Sequence, residues 1–179
     1  MRRRHAGIVA AASFAALAYG CGKPNYVRNP YLEGRQAPPL AGYLVGDDSS
    51  HTPVEFSKDK PTVVCISDMW NMKGRKELFE LEKVYQEGKR TKKFEVVASI
   101  CDGADEALRQ LKEGNNLGYE IVRDDGCTNR ENYGALRADP SGLPIQTVVI
   151  VGKDRNVEKQ LQSRSGEILS AEDILKELK

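Results

Sequence analysis

The sequence predicts an α/β domain in which a mixed, largely parallel sheet carries helices on both faces. Three observations predict it. Short β-branched, apolar runs alternate with amphipathic helical stretches along the chain, the pattern of a sheet built from strand–helix–strand crossovers. The runs show little apolar–polar alternation, so their strands are buried on both faces. The last two runs are joined by a turn alone, Gly152 to Asn156, so they pair as a hairpin and make the sheet mixed.

Pro61-Thr62-Val63-Val64-Cys65-Ile66 follows a charged turn and reads as a central strand. Lys73 to Gly88 places Leu78, Leu81, Val84 and Tyr85 at helical spacing, with Lys, Glu and Arg on the other face, an amphipathic helix. Gly88 and the basic cluster after it end that helix. Phe94 to Cys101 is a second buried strand, Ala104 to Gly114 a helix with Ala107, Leu108 and Leu111 inward, and Tyr119 to Val122 a third strand. Thr128-Asn129-Arg130-Glu131 fits a capping box that opens a short helix to about Leu136. Thr147 to Val151 and Val157 to Arg164 form the hairpin, and Ser170 caps a last helix with Ile174, Leu175 and Leu178 inward. The order is β-α-β-α-β-α-β-β-α.

The amino terminus is of another kind. Met1-Arg2-Arg3-Arg4-His5 precedes an uncharged stretch from Ala6 to Ala18, a basic segment and an apolar core of signal-peptide length, shorter than the roughly 20 residues a spanning helix needs. Residues 1–20 are therefore read as a signal peptide. Leu17-Ala18-Tyr19-Gly20-Cys21 resembles a lipobox, with the leucine one place further back than usual; Ala16-Leu17-Ala18 is a competing A-x-A cleavage site. The lipobox reading makes Cys21 the lipid attachment point and residues 21–36, with Pro24, Pro30 and Gly34 and no hydrophobic period, a tether. The folded domain is then 37–179, in the cell envelope, on the periplasmic face where two membranes are present. Removing residues 1–20 takes Lys+Arg from 27 to 24 against 26 Asp+Glu, a mature charge of −2. There is no basic patch interleaved with aromatics, so no nucleic-acid partner is expected.

The residues then point to a family. Gly34-Arg35-Gln36-Ala37-Pro38 resembles the opening G-x-x-A-P segment of the thioredoxin-like envelope redoxins, a group that includes the cytochrome c maturation reductases and the alkyl hydroperoxide reductase/thiol-specific antioxidant relatives. Glu55 to Val64 resembles the lead into their first core strand. Trp70 stands where those proteins have a tryptophan before Cys-Pro-Pro-Cys, and Arg75-Lys76-Glu77-Leu78 continues in register. Gly142-Leu143-Pro144 is similar to their Gly-Val-Pro, whose proline packs beside the active site. The resemblance covers about Gly34 to Lys179 and implies a thioredoxin-like three-layer sandwich. It also implies that the two catalytic cysteine positions hold Asn71 and Gly74, with Met72 and Lys73 between them.

Thiol–disulfide exchange needs a thiolate, which a helix amino terminus favours. Asn71 supplies none but is a good N-cap. Copper chaperones of this fold use two cysteines and a histidine; His5 leaves with the signal peptide and His51 lies in a polar loop. No metal and no cofactor are expected. The reading is a redox-silent binding or scaffold domain, whose groove by Trp70 and Pro144 takes an extended peptide or an envelope protein. Cys101 and Cys127 keep a second reading open. Both fall at one edge of the sheet if their strands are parallel neighbours, as a structural disulfide, as a displaced redox pair of a thiol–disulfide oxidoreductase, or as two unrelated thiols. Cys65, mid-strand, reads as an inert buried residue. The test of the amino terminus is direct: Cys21→Ser is expected to leave the chain unprocessed or released from the membrane, and a mature protein beginning at Tyr19 contradicts lipidation.

Overall fold

The computed structural model describes residues 26–46, 54–68, 72–101, 103–135, 145–164 and 166–179. Seven strands and four helices lie in the order β1 (Tyr26–Arg28), β2 (Tyr43–Leu44), β3 (Thr62–Asp68), α1 (Met72–Thr91), β4 (Glu95–Cys101), α2 (Asp105–Gly114), β5 (Glu120–Asp124), α3 (Thr128–Asn132), β6 (Thr147–Val151), β7 (Val157–Ser163) and α4 (Ala171–Glu177). They form one sheet ordered β1-β7-β6-β3-β4-β5-β2. β3, β4 and β5 are parallel, and β6 joins β3 antiparallel. This is the mixed α/β sheet of the sequence reading, with each central element within a few residues of its expected place.

Burial on both faces explains why the central strands lack alternation. Val63 and Cys65 of β3 enter one apolar cluster with Leu78, Leu81 and Val84 of α1, Leu108 of α2 and Ile174 of α4. Val64 and Ile66 face the other way, into a cluster with Leu32, Leu40, Phe56 and Tyr133. Two side chains in a row along a strand point to opposite faces, so a strand covered on both sides must be apolar throughout.

Two expectations are corrected. The first is the extent of the tether. Residues 26–36 are folded: β1 pairs antiparallel with β7, Tyr26 is buried and its hydroxyl donates to Glu177 Oε1 at 2.6 Å. Backbone bonds from Asn29 N to Gln160 O and from Gly34 N to Val157 O, each 2.8 Å, carry the segment along the same strand. The boundary at residue 36 thus cuts through the folded part. A three-residue edge strand is too short to display a period, so composition alone reads it as a loop. Cys21 and residues 1–25 lie outside the described residues.

The second correction concerns Thr128. It is the first residue of α3, not its cap; Cys127 holds the N-cap position in a left-handed conformation (φ 59°) with no side-chain cap bond. The cap comes instead from Asp124, whose carboxylate accepts the backbone N–H groups of Thr128, Asn129 and Arg130, with Asn129 N to Oδ2 at 2.9 Å. Ser170 does cap α4, its hydroxyl accepting from Asp173 N at 3.1 Å. Among the described residues no helix is long and apolar enough to cross a membrane.

β2 closes the far edge against β5, and the approach depends on Gly42. Its φ is +110°, and a Cβ there would lie 2.0 Å from the carbonyl oxygen of Arg123. Both the steric clash and the left-handed backbone oppose any side chain. Gly42→Ala is expected to destabilise the protein by more than about 1 kcal/mol, read as a fall in the denaturant midpoint; an unchanged midpoint would disprove this role for the glycine.

Candidate functional site at the carboxyl edge of the sheet

The parallel strands end in a row. Asp68 of β3 lies opposite Cys101 of β4, and Cys101 opposite Asp124 of β5. This is the edge at which open α/β sheets bind ligands. α1 rises from it at Met72, directly after Asn71. Trp70, Asn71 and Pro144, and with them the proposed groove, lie outside the described residues, as does His51. Gly74 is buried in the first turn of α1.

One turn further, Glu77 is buried, and Ser67 Oγ donates to its Oε2 at 2.6 Å. The sequence reading assigned the glutamates of α1 to its solvated face. Glu77 lies four residues before Leu81 and seven before Val84, both buried, so helical spacing puts it on the apolar stripe. That spacing was the available signal for a buried acid beneath the start of α1.

The structure brings the candidate pair Cys101 and Cys127 together as a disulfide, with 4.7 Å between their α-carbons, inside the span such a bond bridges. Parallel pairing of β4 and β5 sets the distance, and two successive left-handed residues, Gly126 (φ 78°) and Cys127 (φ 59°), turn the chain back over the end of β4. Cys101 is buried and Cys127 half-buried.

Two residues after Cys127 fix this turn. Asn129, fully buried, accepts from Ala41 N at 2.7 Å and donates to Ala41 O at 2.8 Å and Ser99 Oγ at 2.9 Å. Arg130, 8% exposed, reaches Asp68 Oδ1 at 2.6 Å. α3 packs against β4, so the Arg130 side chain reaches from above β4 to the end of the neighbouring β3. Among the described residues its Nε and Nη1 are buried with no hydrogen-bond partner, as is Asp124 Oδ1. Burial pushes the Asp124 carboxyl above the ordinary carboxylate range, against the opposing pull of the α3 N–H groups and the Arg130 charge.

Cys65 is fully buried in the middle of β3. Burial, with the nearby Glu77 charge adding to it, pushes its thiol up to about 12, so it carries no thiolate near neutral pH. Among the described residues no group of three or more His, Cys, Asp or Glu is placed to hold a metal ion. A groove of about 990 Å³ lined by Pro61, Phe94, Leu175 and Leu178 lies at the opposite, amino end of β3 and β4, away from this chemistry.

The fold and the edge arrangement define a thioredoxin-like α/β protein. It is similar to a DsbF homologue from Corynebacterium diphtheriae, at 21% identity and a TM-score of 0.63 over 89% of this chain and 95% of that one. It is also similar to a secreted thiol-disulfide isomerase from Corynebacterium glutamicum (14%, TM-score 0.64, 88% and 92%) and to a thiol:disulfide interchange protein from a Bacteroides species (19%, TM-score 0.55, 72% and 80%). No curated protein matches the chain. The AhpC/TSA family matches residues 34–160; the chain belongs to that family.

Two outcomes check the cysteine geometry. Cys127→Ser, which opens a 26-residue loop, is expected to cost on the order of 3.5 kcal/mol, measured by denaturant unfolding against the oxidised parent. Alkylation of the native oxidised protein with iodoacetamide at mildly alkaline pH is expected to leave Cys65 unmodified until denaturant is added; modification of Cys65 in the native state at the rate of a free thiol would contradict its burial.

Proposed function

We propose that this chain is an exported, membrane-tethered thioredoxin-like domain of the cell envelope that works by binding a protein or extended peptide, without thiol–disulfide exchange of its own. The observation that carries this reading is the disposition of the four cysteines. Cys101 and Cys127 are bonded to each other, Cys65 is sealed in the core, and Cys21 precedes the folded part. No cysteine stands at the start of α1, where the family resemblance sets Asn71 and Gly74 in place of the catalytic dithiol. An asparagine cannot form a mixed disulfide, and a glycine cannot resolve one. The family resemblance implies a groove for an extended segment by Trp70 and Pro144, which lie outside the described residues. The secreted relative of similar fold supports export.

A second reading is favoured by one observation, the half-buried Cys127 at the ligand-binding edge of the sheet. There a substrate dithiol would attack the Cys101–Cys127 bond and leave as a disulfide, its two electrons and two protons converting the pair to thiols. The buried partner sulfur and the Asn129 anchor support a structural bond instead.

The assay that separates the readings is insulin reduction driven by dithiothreitol. The protein is expected to add no rate over reagent alone, whereas Asn71→Cys with Gly74→Cys is expected to create activity on the same frame. A parental rate abolished by Cys127→Ser would establish the second reading, and a rate that survives the loss of both Cys101 and Cys127 would sink both.

A further inference from the structure

Among the described residues three large apolar side chains are exposed: Val27 at 56%, Tyr31 at 54% and Phe79 at 43%. Phe79 belongs to α1. Val27 and Tyr31 lie together near the start of the folded part, on one side of the sheet. Tyr26 packs into the cluster beneath α1 and α4, so Val27, its neighbour on β1, points to the opposite face. Tyr31 lies on that opposite face as well, its ring close against Gly134 just after α3. A basic group accompanies the pair. The Arg35 guanidinium stands 6.0 Å over the Tyr31 ring, whereas Arg28, opposite Leu161 on β7, lies on the Tyr26 face. An exposed aromatic with an arginine beside it is the composition of a membrane-interface anchor, the ring at headgroup depth and the guanidinium toward phosphate.

The direction of β1 decides what can reach this face. Tyr26 pairs with Ser163 at the end of β7, and Arg28 with Leu161. β7 runs antiparallel to β6, which runs antiparallel to β3. The chain therefore enters the sheet at the edge where β3, β4 and β5 end. Cys21 precedes Tyr26 by five residues, a span of at most about 17 Å even when fully extended. The folding of Tyr26 to Gln36 removes most of the tether that the sequence suggests.

We propose that the face bearing Val27, Tyr31 and Arg35 lies on the surface of a lipid bilayer and holds the carboxyl edge of the sheet close to it. This rests on the reading of Cys21 as the lipid-bearing residue. An anchor at that distance cannot lift β1 far from the headgroups, and the exposed side chains among the first described residues after it include Val27 and Tyr31. The central strand β3 is three intervals from β1, about 14 Å, so a partner of the candidate site is met in the membrane-proximal layer.

The test uses the full acylated chain in vesicles of phosphatidylethanolamine and phosphatidylglycerol, with a spin label placed singly by Val27→Cys, Tyr31→Cys or Phe79→Cys. Labels at 27 and 31 are expected to show several-fold lower collision with a water-soluble paramagnetic reagent than the label at 79. A flexible insertion between Gly22 and Asn25 is expected to weaken that protection. Equal accessibility at all three positions in vesicle-bound, acylated protein overturns the inference while leaving lipidation intact. Protection that persists in detergent micelles with spin–spin broadening assigns the face to a second copy of the chain and also overturns it. The mass of the amino-terminal peptide reads the anchor separately: a chain without lipid on Cys21 ends both the tether reading and the inference.

Discussion

The carboxylate of Asp124 organises the carboxyl edge of the sheet. It ends β5 and accepts the first N–H groups of α3, so the helix begins there and in one orientation. That orientation lays Cys127 against Cys101, inserts Asn129 between Ala41 and Ser99, and sends Arg130 across to Asp68. A helix amino terminus favours a negative charge, yet burial still raises the proton affinity of this one. The acid is held where desolvation works against its charge, and the covalent bond and the Asn129 contacts supply independent restraints on the same turn.

The ion pair between Arg130 and Asp68 follows similar logic. Both side chains are mostly buried, at 10% and 15% exposed, and two guanidinium nitrogens have no hydrogen-bond partner among the described residues. A buried pair of this kind adds little net stability, because desolvation offsets the attraction, but removing one partner strands the other charge at a cost of several kcal/mol. Its effect is directional: it ties the turn after β5 to the end of β3, next to the start of α1. Among the described residues the edge is thus held by one disulfide, one charge pair and one buried amide.

At the other side of the sheet, the amino-terminal segment completes the core. Leu32, Leu40 and Phe56 cover Val64 and Ile66, the face that α1, α2 and α4 leave open. Tyr133 joins them, its hydroxyl donating to Pro38 O. Segments with no helical or strand period thereby do the work of a helix layer, and this ties the beginning of the folded chain to its central strand.

Much of this was legible in the letters. β3, α1, β4, α2, β5 and the β6–β7 hairpin are each announced by period, composition or turn chemistry, because local sequence fixes which surface an element must bury. The Ser170 cap was readable for the same reason, since donor and acceptor are three residues apart. The sequence by itself also determined that only four thiols exist and that Asn71 and Gly74 stand after Trp70. What it did not determine depends on residues far apart in the chain. β1 and β2 are too short to show a period and exist only because β7 and β5 offer unpaired edges. The cap of α3 fell to Asp124, because Gly126 and Cys127 turn the chain back on itself, and no capping-box pattern anticipates that. Tertiary structure alone decided that Cys101 meets Cys127, that Arg130 reaches Asp68, and that Glu77 is buried against Ser67. The reason is physical: periodicity reports which face of an element is buried, whereas the distance between two side chains is set by strand order and register, which come from packing the whole sheet.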